Sequence, residues 1–140
     1  MYARRCLAVL GLIGVSVAVV AQTVNLRPGK YEMTTEISMA DMPKMPPFKA
    51  EQCITGEDVK NIAAGKKLGG VEELGLNCKT SNFKLNGKTV TFSVTCDSGT
   101  WNVETTFAGD AYTQVLNGKD SQGHVMTGKG NAKRIGDCTK

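Results

Sequence analysis

The sequence predicts a mainly β fold: an antiparallel meander of about six strands curling toward a barrel, with one short helix between the first and second strands. Three observations carry this. Apolar and polar residues alternate through Gly29–Met39, turn dipeptides recur at short intervals after Cys78, and four cysteines remain once the N-terminal segment is set aside.

That segment reads as a secretory leader. Arg4 and Arg5 precede fifteen mostly apolar residues, Cys6 to Val20, and the run exits through Val19-Val20-Ala21 into Gln22. Basic start, apolar middle and small residues at the exit make a signal peptide with cleavage expected after Ala21. The run is shorter than the ~20 apolar residues of a membrane span, so the mature chain is expected to carry no transmembrane span. Residues 22–140 then form one domain of 119 residues, with 15 Lys and Arg against 13 Asp and Glu. A net charge near +2, with the basic residues scattered, speaks against a nucleic-acid partner.

In Gly29–Met39, Tyr31, Met33, Thr35, Ile37 and Met39 share one face, and Lys30, Glu32, Thr34, Glu36 and Ser38 share the other. Period two with one polar face is a half-buried strand. Residues 39–49 break the pattern as a Met/Pro-rich loop, because Pro43, Pro46 and Pro47 forbid a regular ladder. Thr55 with Asp58 three positions on is a capping box, with Asp in place of the usual Glu or Gln. A helix should follow, burying Val59, Ile62 and Ala63 and ending near Gly65, with Lys66 and Lys67 suiting its C-terminus. Gly69-Gly70 reads as loop.

After Cys78 come hairpins. Phe83 and Leu85 lead to an Asn86-Gly87 turn, and Val90, Phe92 and Val94 return from it. Asp97-Ser98-Gly99, Gly109-Asp110 and Asn117-Gly118 read as further turns. Trp101, Val103, Thr105 and Phe107 form an inward stripe, as do Tyr112, Gln114 and Leu116, and the last strand runs from about His124 to Ile135. Pairing of the first strand with the last would cover both edges.

Cys53, Cys78, Cys96 and Cys138 make an even set with no CxxC spacing, which favours a disulfide framework over zinc. Cys78 opens one arm of the Asn86-Gly87 hairpin and Cys96 closes the other. Of the three possible pairings, Cys78–Cys96 with Cys53–Cys138 is therefore preferred.

Several short motifs add a family likeness. They are Pro28-Gly29-Lys30-Tyr31-Glu32, Gln52-Cys53-Ile54-Thr55, the hairpin between Cys78 and Cys96, Gly109-Asp110-Ala111-Tyr112, and the ending Arg134-Ile135-Gly136-Asp137-Cys138. With these the mature chain resembles a family of small proteobacterial envelope proteins catalogued only as a domain of unknown function. Tyr31 stands where Trp is expected in relatives. The resemblance implies location and architecture, and no activity.

Catalytic chemistry needs activated groups at close range. The chain has one histidine, His124, no nucleophile elbow, and cysteines expected to be oxidised. Glu72-Glu73 and Glu57-Asp58 are neighbours that point apart on a helix or strand. Gly128-Lys129-Gly130 lacks the strand-turn-helix setting of a phosphate loop. The expectation is a non-enzymatic, periplasmic binding or accessory module with no cofactor, its partner an envelope protein or a small ligand.

Two alternatives name a ligand. Met39, Met42 and Met45 recur every third residue beside prolines, so a left-handed extended segment would align their thioethers, soft ligands for Cu(I) or Ag(I). His124 and Met126, two apart on a strand, would complete such a site. Methionine is equally an adaptable filler of gaps. The other alternative is a small apolar-ligand carrier lined by Tyr31, Phe83, Phe92, Trp101, Phe107 and Tyr112, six residues that would equally serve as a filled core.

Overall fold

A computed structural model describes residues 23–66 and 77–139. The expected leader, Lys67, Gly69-Gly70 and Glu72-Glu73 lie outside the described residues. The strands are β1 (Gly29–Met39), β2 (Phe48–Ile54), β3 (Cys78–Asn86), β4 (Thr89–Cys96), β5 (Gly99–Phe107), β6 (Ala111–Asp120) and β7 (Val125–Gly136). One helix, α1 (Gly56–Ala63), follows β2. All seven strands form one antiparallel sheet in the order β2-β1-β7-β6-β5-β4-β3. Strands β3 to β7 are the expected meander, and the first strand does pair with the last. Among the described residues no helix is long and apolar enough to cross a membrane.

Three expectations are corrected. There are seven strands rather than six, so the helix lies between the second and third. The additional strand is β2, six of whose seven residues are exposed. An edge strand with both faces wet has no apolar alternation to betray it, and the prolines beside it suggested loop.

The sheet also does not close. β2 occupies the edge outside β1, and β3 forms the other edge. The register of β3 on β4 shifts between Ser81 and Lys84, and Asn82 there has φ of 56°. A bulge of this kind disrupts an edge as a template for further pairing.

Third, Asn117-Gly118 is extended within β6, and the chain turns later, at 121–124. Asp120 makes that turn: its Oδ1 accepts from the backbone N–H of Gln122 and of His124, both at 2.9 Å. Gly118 serves side-chain packing instead. A Cβ there would collide with the Trp101 ring and the Thr100 carbonyl.

Register aligns the inward side chains in rows across the sheet. One row runs Met33, Ala132, Tyr112, Phe107; the next runs Thr35, Gly130, Gln114, Thr105, Val90. Then come Ile37, Gly128, Leu116, Val103, Phe92, and finally Met39, Met126, Gly118, Trp101, Val94. Small residues on β7 let the larger side chains of β1 and β6 meet over it. The centre of this face is buried: Tyr31, Val90, Phe92, Val94, Val103, Phe107, Tyr112 and Ala132 make up most of the core.

Helix α1 packs against that core through Val59, Ile62 and Ala63. Its start is fastened both ways: Asp58 N–H donates to Thr55 Oγ1 at 3.1 Å, and Thr55 N–H donates to Asp58 Oδ2 at 2.9 Å. Its end turns at Gly65, φ 69°, where the Phe83 ring occupies the space of a Cβ.

Candidate functional site

The inner face has two ends of different character. At the first, the chain is tied together by backbone contacts and by residues of the short sequence motifs named above. Arg27 and Gly109 bridge the N-terminal segment to the β5–β6 turn, with Arg27 N–H to Gly109 O at 2.9 Å and Gly109 N–H to Asn25 O at 2.8 Å. Tyr31 is fully buried, and its hydroxyl lies 2.6 Å from the Arg27 carbonyl and 3.1 Å from that of Gly109. Arg134 donates from Nε to the Pro28 carbonyl at 2.9 Å and pairs with Asp137. Gly29 admits it, since a Cβ there would strike the Arg134 guanidinium. Cys53–Cys138 fastens the C-terminus to β2, with Cα atoms 5.5 Å apart. The motif residues therefore form a structural clasp.

Burial raises the pKa of Tyr31, with the Asp110 charge adding to this and Arg134 and Arg27 opposing it. Tyr112 is raised as well, by burial first and then by Tyr31. The rings of Tyr31 and Tyr112 lie 5.7 Å apart, and those of Phe107 and Tyr112 lie 5.9 Å apart, all tilted. Of the six aromatics expected inside, Tyr31, Phe92, Phe107 and Tyr112 are buried, while Phe83 and Trp101 are half-buried against the core. They belong to one core cluster, against which α1 also packs. A groove of about 310 Å³ lies elsewhere, on the outer face over β3–β6, among Asn82, Lys84, Ser93, Asn102, Glu104 and Asn117.

At the second end, β1 finishes and β7 starts. Met39 and Met126 are direct cross-strand partners, both half-buried on the inner face. Ala40 N–H donates to the Val125 carbonyl at 3.0 Å and holds the segment after β1 against the start of β7. Met42 N–H reaches the Met39 carbonyl at 3.4 Å across a tight turn, and its side chain is 56% exposed. Met45 is 41% exposed, and Phe48 and Val125 are exposed too. Cys78–Cys96, with Cα atoms 4.1 Å apart, staples the β3–β4 side of this end.

Of the five residues with possible metal-ligating roles, the structure thus brings Met39 and Met126 together and sets Met42 one turn away. His124 is drawn off: its Nδ1 lies 2.8 Å from Asp120 Oδ2. That hydrogen bond is the chief reason the Asp120 carboxyl titrates below the usual range. Sequence reasoning placed Trp101 in the core and missed its position in the methionine row. Its indole Nε1 is buried and has no hydrogen-bond partner among the described residues. The available signal was Gly118: a glycine inside a strand often marks close packing by a neighbour.

Fold and site together define a small antiparallel-sheet protein, clasped at one end and presenting methionines at the other. The chain belongs to the family described as Protein of unknown function (DUF3617), whose model matches residues 26–138. No curated protein and no solved structure matches it.

Proposed function

We propose that the chain is a non-enzymatic binding or accessory module of the bacterial envelope, exported to the periplasm after cleavage behind Ala21. The observation that carries the binding reading is the contrast in side-chain use. The motif residues Gly29, Tyr31, Arg134 and Cys138 hold the fold together, whereas Met42 and Met45, between β1 and β2, are large apolar side chains left exposed, as are Phe48, Val125 and Ile135 elsewhere. Met42 and Met45 lie together in the short segment between β1 and β2, and neighbouring exposed apolar groups mark a surface that meets something else. The N-terminal charge and apolar pattern supports export, and disulfides suit an oxidising compartment.

Native mass spectrometry of protein taken from the periplasm, with no metal or detergent added, tests this. The expected mass is that of Gln22–Lys140 less four hydrogens, carrying an adduct that is lost on unfolding. A full-length chain recovered only from the cytoplasm would overturn the reading.

A further inference from the structure

We infer that Met39, Met126 and Trp101 form a binding site for a soft monovalent metal ion, Cu(I) or Ag(I). This deepens the binding-module reading and rests on it.

Met39 and Met126 face each other across β1 and β7 on the inner side of the sheet. Directly opposed residues have Cβ atoms roughly 4.5–5.5 Å apart, within range for two thioethers to share one ion. Thioether sulfur is a soft, uncharged ligand that needs no deprotonation and suits a soft cation. Both residues are half-buried at the open end, where an ion can enter.

The neighbouring place in the same row is Gly118, and Trp101 follows it. The pyrrole edge of the indole fills the space over Gly118, directly beside Met126. A cation held over the face of this indole would be attracted by the ring quadrupole. The arrangement is maintained at a cost. Trp101 Nε1 is buried with no partner among the described residues, and β6 carries a glycine in its interior to admit the ring.

Met42 offers a third thioether, since one tight turn separates it from Met39 and its side chain is exposed. Met45 and His124 are not part of the site. Among the described residues no group of three or more His, Cys, Asp or Glu could hold a metal ion, so harder divalent cations find no comparable ligand set.

Trp101 is the one tryptophan in the chain, so its fluorescence reports on the site directly. The test is titration of the purified, oxidised protein with Ag(I) in chloride-free buffer, with native mass spectrometry to count bound ions. The expected result is one Ag(I) per chain with saturable quenching, and no response to Zn(II). Met39→Leu and Met126→Leu should each weaken binding at least about tenfold, and Met45→Leu should leave it unchanged. Leucine conserves volume, so these variants keep the fold. Unchanged fluorescence with Ag(I), an equal response to Zn(II), or undiminished affinity in the Met39→Leu/Met126→Leu double variant would overturn the site. Any of these would leave the envelope reading standing. A chain retained uncleaved in the cytoplasm would overturn that reading while leaving the titration as it is.

Discussion

The clasped end and the methionine end of the inner face are built by opposite means. At the clasp, side chains reach across the chain to backbone carbonyls: Tyr31 to Arg27 and Gly109, Arg134 to Pro28, with Cys53–Cys138 beyond them. At the methionine end, the side chains meet each other or solvent, and the fastening lies to one side in Cys78–Cys96. Several residues of the short motifs that carry the likeness, Gly29, Tyr31, Arg134 and Cys138, sit at the clasp. Their contacts account for the fold and are silent about what it binds.

The two disulfides give the largest test of this contrast. Cys53–Cys138 spans 85 residues and Cys78–Cys96 spans 18. By loop-closure entropy they stabilise the chain by about 4.5 and about 3 kcal/mol respectively. Urea unfolding of the Cys53→Ser/Cys138→Ser and Cys78→Ser/Cys96→Ser pairs should rank them in that order. Equal losses would show that the clasp contributes less than its geometry implies.

Next in size is Tyr31→Phe. It keeps the ring and removes the hydroxyl donor to the Arg27 carbonyl, while Gly109 O keeps Arg27 N–H, at a cost of about 1–2 kcal/mol in the same assay. Tyr31 and Tyr112 also set an alkaline limit. Their folded pKa values are raised, so their contribution to stability is whole below the ordinary tyrosine value of ~10. It falls as the pH climbs through the raised folded values, because the unfolded chain ionises first. Tyr31→Phe should flatten this alkaline limb of a stability–pH curve. An unchanged limb would place the titration elsewhere.

The smallest effect belongs to the open end. Met126→Leu should shift stability by less than about 1.5 kcal/mol, being a volume-conserving change at a half-buried site. A loss as large as that of the clasp variants would make this end part of the core and remove the contrast.

Much of the fold was legible from local pattern. Alternation marked β1, β4 and β5, the hairpin between β3 and β4 was read correctly although its two-residue loop is Gly87-Lys88 rather than Asn86-Gly87, and Thr55 with Asp58 caps the helix. β2 was not legible, because an exposed edge needs no apolar period. Asn117-Gly118 misled because a glycine required by a neighbouring ring looks, in sequence, like a glycine required by a turn. The same misreading hid the site. Only when β6 runs straight through Gly118 does Trp101 fall into line with Met126 and Met39. The residue types were visible from the start, whereas their register across strands distant in sequence was not.

The bridge between Cys53 and Cys138 also sets a timetable. A chain made from its N-terminus presents Cys53 85 residues before Cys138, and β1 likewise waits for β7, its neighbour in the sheet. Cys78 arrives first, 25 residues after Cys53, as a wrong partner within easy reach. Cys96 follows and closes the hairpin with Cys78, removing that competitor. The local bridge thus guards the distant one, and a Cys96→Ser chain would expose Cys53 to mispairing at the very stage when it has no proper mate.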